Sequence, residues 1–330
     1  MIKYIGYTAI FLLILVFGFG TVFAEDGDGG YAASYFQIPI GARPTAMGGA
    51  YIAIANDGAG PLFNPAGIAT LQRKMFATSF RTMGLGRKLG YVTFMAPAHD
   101  KAAIGVNWHY FSAGDIDTRD YNGRLDGYNI GYTAHDWSII FAKRFEDYIS
   151  LGMRAGYIYN RFAQMSSFSV GLDLGAMFYF LRSYDFDYPD ERFLQDLQIG
   201  VVLRNMAGNL KWNSSELNPY LSGSSGSVEQ VDRIPFEVGV GFSGRFLKRK
   251  LLLATDIIKN EKQNIRLHGG AEYFVSPEFA LRTGYSDKRF TAGTGYIFKI
   301  NAWVMAIDYA FATDKVGEGS EHIISFDILF

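Results

Sequence analysis

The sequence predicts an all-β protein: a transmembrane antiparallel β-barrel of about 14 strands with a small N-terminal plug segment inside the lumen. Three observations predict this fold. Residues 1–24 have the pattern of a secretory leader, residues 25–71 contain a stretch rich in glycine and proline, and residues 72–330 alternate large apolar with small residues. We therefore divide the chain at those boundaries into a signal peptide, a plug and an outer-membrane barrel.

The composition excludes several classes of protein. The chain has 330 residues, a formal net charge of −1 and no cysteine. Because there is no excess of basic residues, we expect no nucleic-acid partner. The lack of cysteine excludes disulfides, thiolate metal sites, a cysteine nucleophile and a lipoprotein anchor. Aromatic residues make up 16% of the chain and glycines number 38, a combination that favours close-packed strands and tight turns.

The leader begins with Lys3, and an uncharged run follows from Tyr4 to Ala24. The run ends in Val22-Phe23-Ala24, and polar residues come next, which is typical of a cleavage site. A retained membrane anchor is the alternative, because a run of this length is long enough to span a bilayer. The cleavage-like end favours removal of the segment.

The segment 41-GARPTAMGGAYIAIANDGAGPLFNPAGIATL-71 has too many prolines and glycines for a long helix or strand. Asn64 before Pro65 predicts the start of a short helix, and Asp57 predicts a capped turn over residues 58–63. The alternative is a disordered periplasmic leader, but the segment is too apolar for a solvated tail.

A barrel of 14 strands encloses a lumen that its wall side chains are too short to fill. Irregular backbone is tolerated at membrane depth where protein surrounds it. We therefore expect the plug to fold inside the barrel and to close it.

From about residue 72 the chain divides into segments of about ten residues with a period of two. In 302-AWVMAIDYAF-311, for example, Trp303, Ile307 and Tyr309 share one face. An even number of such segments suits a closed antiparallel barrel. The predicted strands begin near residues 73, 88, 101, 136, 149, 167, 195, 234, 250, 264, 278, 290, 302 and 321.

The second face of these segments is made of glycine, alanine and serine with isolated charges. A soluble β-sandwich also alternates, but its exterior would be rich in lysine and glutamate. Sparse charges of both signs suit a crowded polar lumen, and the large apolar face then meets lipid. The charges predicted to face the lumen are Arg154, Asp173, Glu237, Asp256, Arg266, Glu272, Arg282 and Asp308.

Connection lengths distinguish the two rims of the predicted barrel. With a periplasmic N-terminus, residues 112–135, 207–233 and 312–320 are extracellular loops, and most of the alternate connections are short turns. Residues 181–194 are an exception, a longer stretch on the predicted periplasmic side. Phe330 ends the last strand, and a terminal aromatic resembles the assembly signal of bacterial outer-membrane proteins. We predict location in the bacterial cell outer membrane, with its lipid as a partner.

Patterns for enzyme chemistry are weak. The five histidines are scattered without metal-ligand spacing. Gly239-x-Gly241-x-x-Gly244 matches a dinucleotide pattern, but it lies inside a predicted strand with no following helix. We interpret these glycines as inward-facing barrel positions. With no nucleophile–base pair in view, we predict that the protein is not an enzyme and has no cofactor.

Four aspartates of the 112–135 loop, Asp115, Asp117, Asp120 and Asp126, raise the possibility of a Ca²⁺ site. Arg119, however, stands where an EF-type loop needs an oxygen ligand. We therefore predict a solvated loop and no metal site.

The plug motif carries a family resemblance. The run 41-GARPTAMGG-49, together with Asn64-Pro65-Ala66-Gly67, resembles the N-terminal region of PorV/PorQ-family outer-membrane proteins and, more distantly, of FadL-type transporters. Relatives often have Gly-Met-Gly where this chain has Met47-Gly48-Gly49. The resemblance identifies as plug-motif residues Gly41, Met47, Gly48, Gly49, Asp57, Asn64, Pro65, Ala66 and Gly67.

The resemblance implies two functions of different classes. The first is a component or accessory of type IX protein secretion, acting through secretion-system or surface-protein partners. The alternative is FadL-like transport of a hydrophobic small molecule through the barrel. Gly105 and Gly114 also fit the alternative, because glycine permits a kink or bulge in strand three.

Overall fold

The computed structural model describes residues 31–99, 101–180, 193–213, 229–286, 289–313 and 319–330. The predicted signal peptide, 1–24, and the first residues of the predicted plug lie outside this part of the chain, as does most of the 181–194 stretch.

Antiparallel β-strands form most of the described chain. They are β1 Met75–Thr82, β2 Lys88–Ala98, β3 Ala102–Arg119, β4 Leu125–Phe145, β5 Ile149–Phe162, β6 Met165–Phe180, β7 Leu194–Arg204, β8 Asn209–Asn213, β9 Glu229–Arg233, β10 Glu237–Phe246, β11 Leu251–Asn260, β12 Arg266–Phe274, β13 Phe279–Ser286, β14 Arg289–Ile300, β15 Trp303–Ala312 and β16 Glu321–Leu329.

Fourteen of these strands close into one barrel. Each strand from β1 to β7 and from β10 to β16 pairs with its neighbours, and β7 pairs directly with β10. The first and last strands complete the ring, with Ser79 opposite Ser325. The predicted fold class is confirmed. The two short strands β8 and β9 pair only with each other, outside the ring.

Burial alternates along the wall as the period of two requires. In β1, Met75 and Arg81 are buried, whereas Phe76 and Phe80 are exposed. The exposed positions carry large apolar side chains around the ring, among them Ile104, Trp137, Phe141, Tyr157, Phe168, Val170, Tyr296 and Phe326. A closed barrel with an apolar outer surface satisfies all its backbone hydrogen bonds in lipid, so the protein belongs in the bacterial outer membrane.

The predicted start of the fourth strand at residue 136 is wrong, and so is the 112–135 loop. Strand β3 runs on to Arg119 and β4 begins at Leu125. The register shifts between Ser112 and Gly114, where Gly114 has a φ of 77°. Such a bulge inserts an extra residue and breaks the period of two, which is why this part of the strands reads as a loop. The other thirteen predicted starts fall within three residues of a barrel strand.

Two aspartates of the predicted 112–135 loop lie in a strand and in a tight turn. Asp117 lies in β3, and Asp120 occupies the turn between β3 and β4. The Asp120 carboxylate accepts hydrogen bonds at 2.9 Å from the backbone N–H groups of Asn122 and Arg124. Its role in the described structure is therefore to cap a tight turn.

Two rims follow from the topology. The terminal rim is the end where Met75 and Leu329 lie side by side, and the distal rim is the opposite end. Connections 146–148, 275–278 and 301–302 lie at the terminal rim. Strands β3 to β6 are the longest of the wall and extend it at the distal rim. With short turns on the periplasmic side, the terminal rim is expected to face the periplasm.

Residues 31–71 lie inside the barrel as short helices joined by turns. They comprise the α-helix α1, Ala42–Ala46, and three 3₁₀-helices at Ser34–Gln37, Gly60–Leu62 and Pro65–Thr70. None of the helices in the described ranges is both long and apolar enough to cross a membrane. We call residues 31–71 the plug below. Helix α1 contacts β13 to β16, and the Pro65–Thr70 helix contacts β3 to β6 on the other side of the lumen.

Candidate functional site in the barrel lumen

The plug backbone approaches the wall closely at glycines. A Cβ atom built on Gly284 of β13 would lie 2.1 Å from the backbone nitrogen of Gly48. One built on Gly175 of β6 would lie 2.0 Å from Asn64 Oδ1. The glycines that face the lumen therefore leave the space that the plug occupies. The wall glycines in contact with plug atoms are Gly152, Gly175, Gly200, Gly239, Gly241, Gly270, Gly284 and Gly293.

Asn64 organises one end of the plug. Its side-chain oxygen accepts a hydrogen bond from the backbone N–H of Ala66 at 3.1 Å and caps the Pro65–Thr70 helix. Its amide nitrogen donates to the carbonyls of Ile52 at 3.0 Å and Ala176 at 3.2 Å. One fully buried side chain thus joins two parts of the plug to strand β6.

The remaining plug-motif residues are placed by packing. Gly41, Gly48 and Gly49 all have positive φ, at 89°, 64° and 78°. A Cβ on Gly67 would lie 1.9 Å from the Ala55 carbonyl oxygen. The Asp57 carboxylate accepts from the backbone N–H groups of Ala59 and Gly60, each at 3.1 Å. Met47, Pro65 and Ala66 are buried.

Arg43 is the only cation of residues 31–71 and connects the plug to the wall. Its Nε and a terminal nitrogen donate to the two oxygens of Glu272 on β12, at 2.7 and 2.9 Å. Its other terminal nitrogen donates to Tyr51 Oη at 2.7 Å and to Asn56 Oδ1 at 2.9 Å. This bidentate geometry is among the stronger forms of ion pair in proteins.

Arg43 and Tyr51, two of the ionisable plug groups at this junction, keep their ordinary charge states. Burial alone lowers the pKa of the Arg43 guanidinium, but the Glu272 carboxylate more than reverses this and raises that pKa. Burial raises the pKa of the Tyr51 phenol well above its ordinary value. Tyr51 is therefore neutral and donates its hydrogen bond to Asp57 while it accepts one from Arg43.

Asp256 on β11 holds the middle of the plug. Its carboxylate accepts hydrogen bonds from the backbone N–H groups of Tyr51 at 2.7 Å and Ile52 at 2.9 Å. Two backbone donors on one carboxylate satisfy plug groups that have no secondary structure of their own. Thr291 and Ser325 make similar wall contacts, to the Ala46 carbonyl at 3.1 Å and the Ala42 N–H at 2.7 Å.

The other charges expected in the lumen are also buried and paired. Arg154 pairs with Asp173 at 2.6 Å and with Asp136. Arg282 pairs with Glu272 at 2.7 Å and with Asp308 at 2.6 Å. In a third pair, Arg266 contacts Glu237. All eight predicted residues have relative exposures of 8% or less.

Sequence reasoning missed several members of these networks. Asp136 was overlooked because it stands at the wrongly predicted start of the fourth strand. It faces the lumen, as do Ser138 and Ile140, which lie two and four residues further along the strand. Arg204 pairs with Glu237 at 3.1 Å, and Asp327 accepts from the plug N–H of Gly58 at 3.3 Å. The alternation of lumen-facing and lipid-facing positions along each strand is the sequence signal that could have identified them.

The glycines of the dinucleotide-like pattern do not all face the lumen. Gly239 and Gly241 face the lumen, but Gly244 lies on the opposite face of the strand, together with Val240 and Phe242. The interpretation of all three as inward-facing is therefore wrong, since an odd spacing reverses the face. In strand β3, Gly114 forms the bulge described above.

Phe330 lies at the terminal rim with an exposure of 42%. Its backbone N–H donates to the Lys74 carbonyl at 3.0 Å, and its ring lies 5.7 Å from that of Trp303. This placement is at the seam between the first and last strands. Its role as an assembly signal stays a prediction.

Two cavities open between the plug and the distal part of the wall. The aromatic cavity has a volume of about 360 Å³ and is lined by Tyr31, Ala32, Ala33, Ser34, Tyr35, Phe111, Tyr132, Leu210, Trp212 and Asp232. The distal arginine cavity has a volume of about 310 Å³, and its charged lining residues are Arg81, Arg87, Arg266, Arg289 and Glu321. The two share Ser34, Tyr35 and Phe111 and are therefore neighbours.

The fold and the filled lumen define an outer-membrane barrel with an internal plug. No protein-family model matches the chain, and no curated protein matches it in sequence. Among solved structures it resembles the toluene transporter TodX of Pseudomonas putida, with a TM-score of 0.58 and 10% identity over 87% of this chain and 95% of that one.

Two further structures have the same fold. The monoaromatic hydrocarbon channel CymD gives a TM-score of 0.56 and 14% identity, over 88% of this chain and 96% of that chain. A FadL homologue of Pseudomonas aeruginosa gives 0.55 and 12%, over 86% and 96%. At these identities the likeness concerns the fold, which is that of FadL-type outer-membrane barrels.

Proposed function

We propose that the protein is an outer-membrane transporter for small hydrophobic molecules. The aromatic cavity is the observation that carries this proposal. It lies at the distal rim, above the plug, where a solute from outside the cell would enter. The structural likeness to a toluene transporter and to a monoaromatic hydrocarbon channel supports the same class of solute.

The cavity has the size and lining that a small hydrophobic solute needs. Its volume of about 360 Å³ exceeds the about 150 Å³ that suffices to bind benzene in a protein interior. Phe111 stacks on Tyr35, with ring centroids 5.3 Å apart and planes within 9° of parallel. Tyr132 packs edge-on to Phe111 at 6.0 Å. These rings offer apolar faces to a solute, and polar groups such as those of Ser34 and Asp232 lie beside them in the same lining.

The route below the cavity would follow the plug. The described wall strands pair around the complete ring, and plug residues 31–35 form one side of the cavity. Tyr35 belongs both to the cavity lining and to the plug. Passage therefore requires the plug to move, and a solute in the cavity would contact the plug directly at Tyr35.

Trp212→Ala should reduce uptake without affecting the barrel. Trp212 lies in β8, outside the ring of wall strands, and lines the aromatic cavity. Loss of one aromatic partner should slow uptake of labelled toluene about threefold to tenfold. The measurement uses cells with an intact lipopolysaccharide leaflet that produce either the original protein or the variant.

Tyr121→Ala is the matched control, because Tyr121 is fully exposed in the β3–β4 turn at the same rim. This variant should take up toluene at the original rate. Equal uptake by cells with and without the protein would overturn the transport proposal itself. Equal uptake by the Trp212→Ala variant and the original would remove the cavity from the route.

A role in type IX secretion is the second candidate. The β3–β4 hairpin exposes Ile116, Tyr121 and Leu125, with relative exposures of 50%, 104% and 60%, and offers a surface for a protein partner. The plug motif is less informative, because its residues have packing roles in any plugged barrel. Deleting the gene in its host should then abolish surface release of type IX cargo. Unaltered release would eliminate this candidate.

A further inference from the structure

The distal arginine cavity is chemically unlike its aromatic neighbour. It lies between plug residues 34–39 and the lumen face of strands β1, β12, β14 and β16. Arginines line it from several of these strands, and its neutral lining includes Thr45, Ser286 and Thr291. This concentration of guanidinium groups suits a ligand that carries negative charge.

Arg81 is the best-defined donor in the cavity. Its side chain is 2% exposed. One terminal nitrogen donates to the Pro39 carbonyl at 2.7 Å, and the other contacts Glu321. Within the described residues its Nε has no hydrogen-bond acceptor. A buried charged donor without an acceptor is unfavourable, so it indicates an acceptor supplied from outside the chain.

The nearby carboxylates are each shared between two guanidinium groups. Glu321 Oε2 contacts Arg81 and also lies 3.5 Å from a terminal nitrogen of Arg289. Glu237 is shared in the same way by Arg266 and Arg204. Arg266 is buried, and its Nε, like that of Arg81, lacks an acceptor among the described residues. The Nε–H groups of Arg81 and Arg266, two residues that line this cavity, are thus buried without an acceptor among the described residues.

We propose that the distal arginine cavity, which Arg81 and Arg266 both line, binds an oxyanion, a carboxylate or phosphate group. Guanidinium N–H groups in a fixed planar fork match the oxygens of these groups. The hydroxyl of Ser286 lies in the same lining and offers a further donor. A volume of about 310 Å³ accommodates a free oxyanion or the head of an amphiphile.

This site is separate from the proposed hydrophobic route. The aromatic cavity would take the apolar solute, and the arginine cavity takes the anion. The two cavities share Ser34, Tyr35 and Phe111 in their linings, so their ligands would lie close to each other.

Binding to the purified full-length barrel in neutral detergent tests the proposal. Titration calorimetry with inorganic phosphate measures the free anion, and octyl phosphate below its micellar concentration measures the amphiphile. Arg81→Gln and Arg266→Gln should each weaken binding about tenfold, which corresponds to the loss of one charged hydrogen bond. Each variant leaves its carboxylate with a second guanidinium, Arg289 for Glu321 and Arg204 for Glu237, so the barrel should still fold.

Arg124→Gln is the matched control, because Arg124 is an exposed arginine just before β4 at the same rim. Tenfold weaker binding in the two cavity variants and unchanged binding in the control would support the site. Binding of both probes would assign it to free oxyanions, and binding of octyl phosphate alone would assign it to amphiphile heads. Absence of binding by either probe, or binding unaffected by Arg81→Gln and Arg266→Gln, would overturn the proposal. Toluene uptake by these variants tests transport independently.

Discussion

Deleting residues 31–70 is expected to leave a barrel that still inserts but conducts ions at least about tenfold better than the intact protein. The wall needs none of these residues for its ring of strands, because every barrel strand lies after residue 74. The plug supplies the large side chains that fill the lumen, such as Tyr51 and Met47, which are fully buried. Without them the wall presents mainly small and charged side chains, and water would enter.

Single-channel recording in planar bilayers measures this conductance. A heat-modifiable gel shift, which reports a closed barrel, must first be the same for the deleted and the intact proteins. Conductance that stays at the level of the intact protein would show that residues 31–70 do not limit the path, and the proposal that they seal the lumen would fail.

Gly175→Ala should displace the end of the plug that Asn64 organises. The new Cβ would lie 2.0 Å from Asn64 Oδ1 and 2.9 Å from Pro65 Cδ. Asn64 cannot yield easily, because it caps a helix and bonds two carbonyls. Overpacking of this kind costs about 1–3 kcal/mol, and loss of the cap adds about 1 kcal/mol. We expect a lower unfolding temperature and faster proteolysis within residues 61–71.

Gly171→Ala is the matched control in the same strand. Gly171 also faces the lumen, but a Cβ there would approach only Ile158, at 3.2 Å. The end of the Ile158 side chain can move aside, so the same chemical change should lower the free energy of unfolding by only about 1 kcal/mol or less, well below the loss at Gly175. Equal destabilisation by the two substitutions would mean that β6 tolerates no alanine, and the loss would not report on the plug.

Much of the wall could be predicted from the sequence because each strand carries its own period of two. Residues of one parity face lipid and those of the other face the lumen, so Arg154 and Asp173 can be placed without a structure. The prediction failed at β3 and β4 because the Gly114 bulge changes the parity within one strand. A bulge is defined by its register against the partner strand, so it cannot be recognised from the sequence of one strand alone.

The partners of the lumenal charges could not be predicted in the same way. Glu272 pairs with Arg43, which precedes it by 229 residues and lies in a segment with no periodicity. The distal arginine cavity likewise requires β1 and β16 to be neighbours, which only closure of the ring provides. Local pattern reveals which face a charge occupies, whereas the identity of its partner depends on distant parts of the chain.

The contacts of the plug with strands β14 and β16 have a consequence for the order of assembly. The Ala42 N–H bonds Ser325, Gly58 bonds Asp327, and Ala46 bonds Thr291, across 283, 269 and 245 residues of chain. Contacts between such distant residues form late, because the chain between them must first be organised. These parts of the plug therefore settle only after strands β14 and β16 have formed. An assembly that stalls before β16 lacks its seam and the two anchors at Ser325 and Asp327, which would leave its N-terminal segment open to periplasmic proteases.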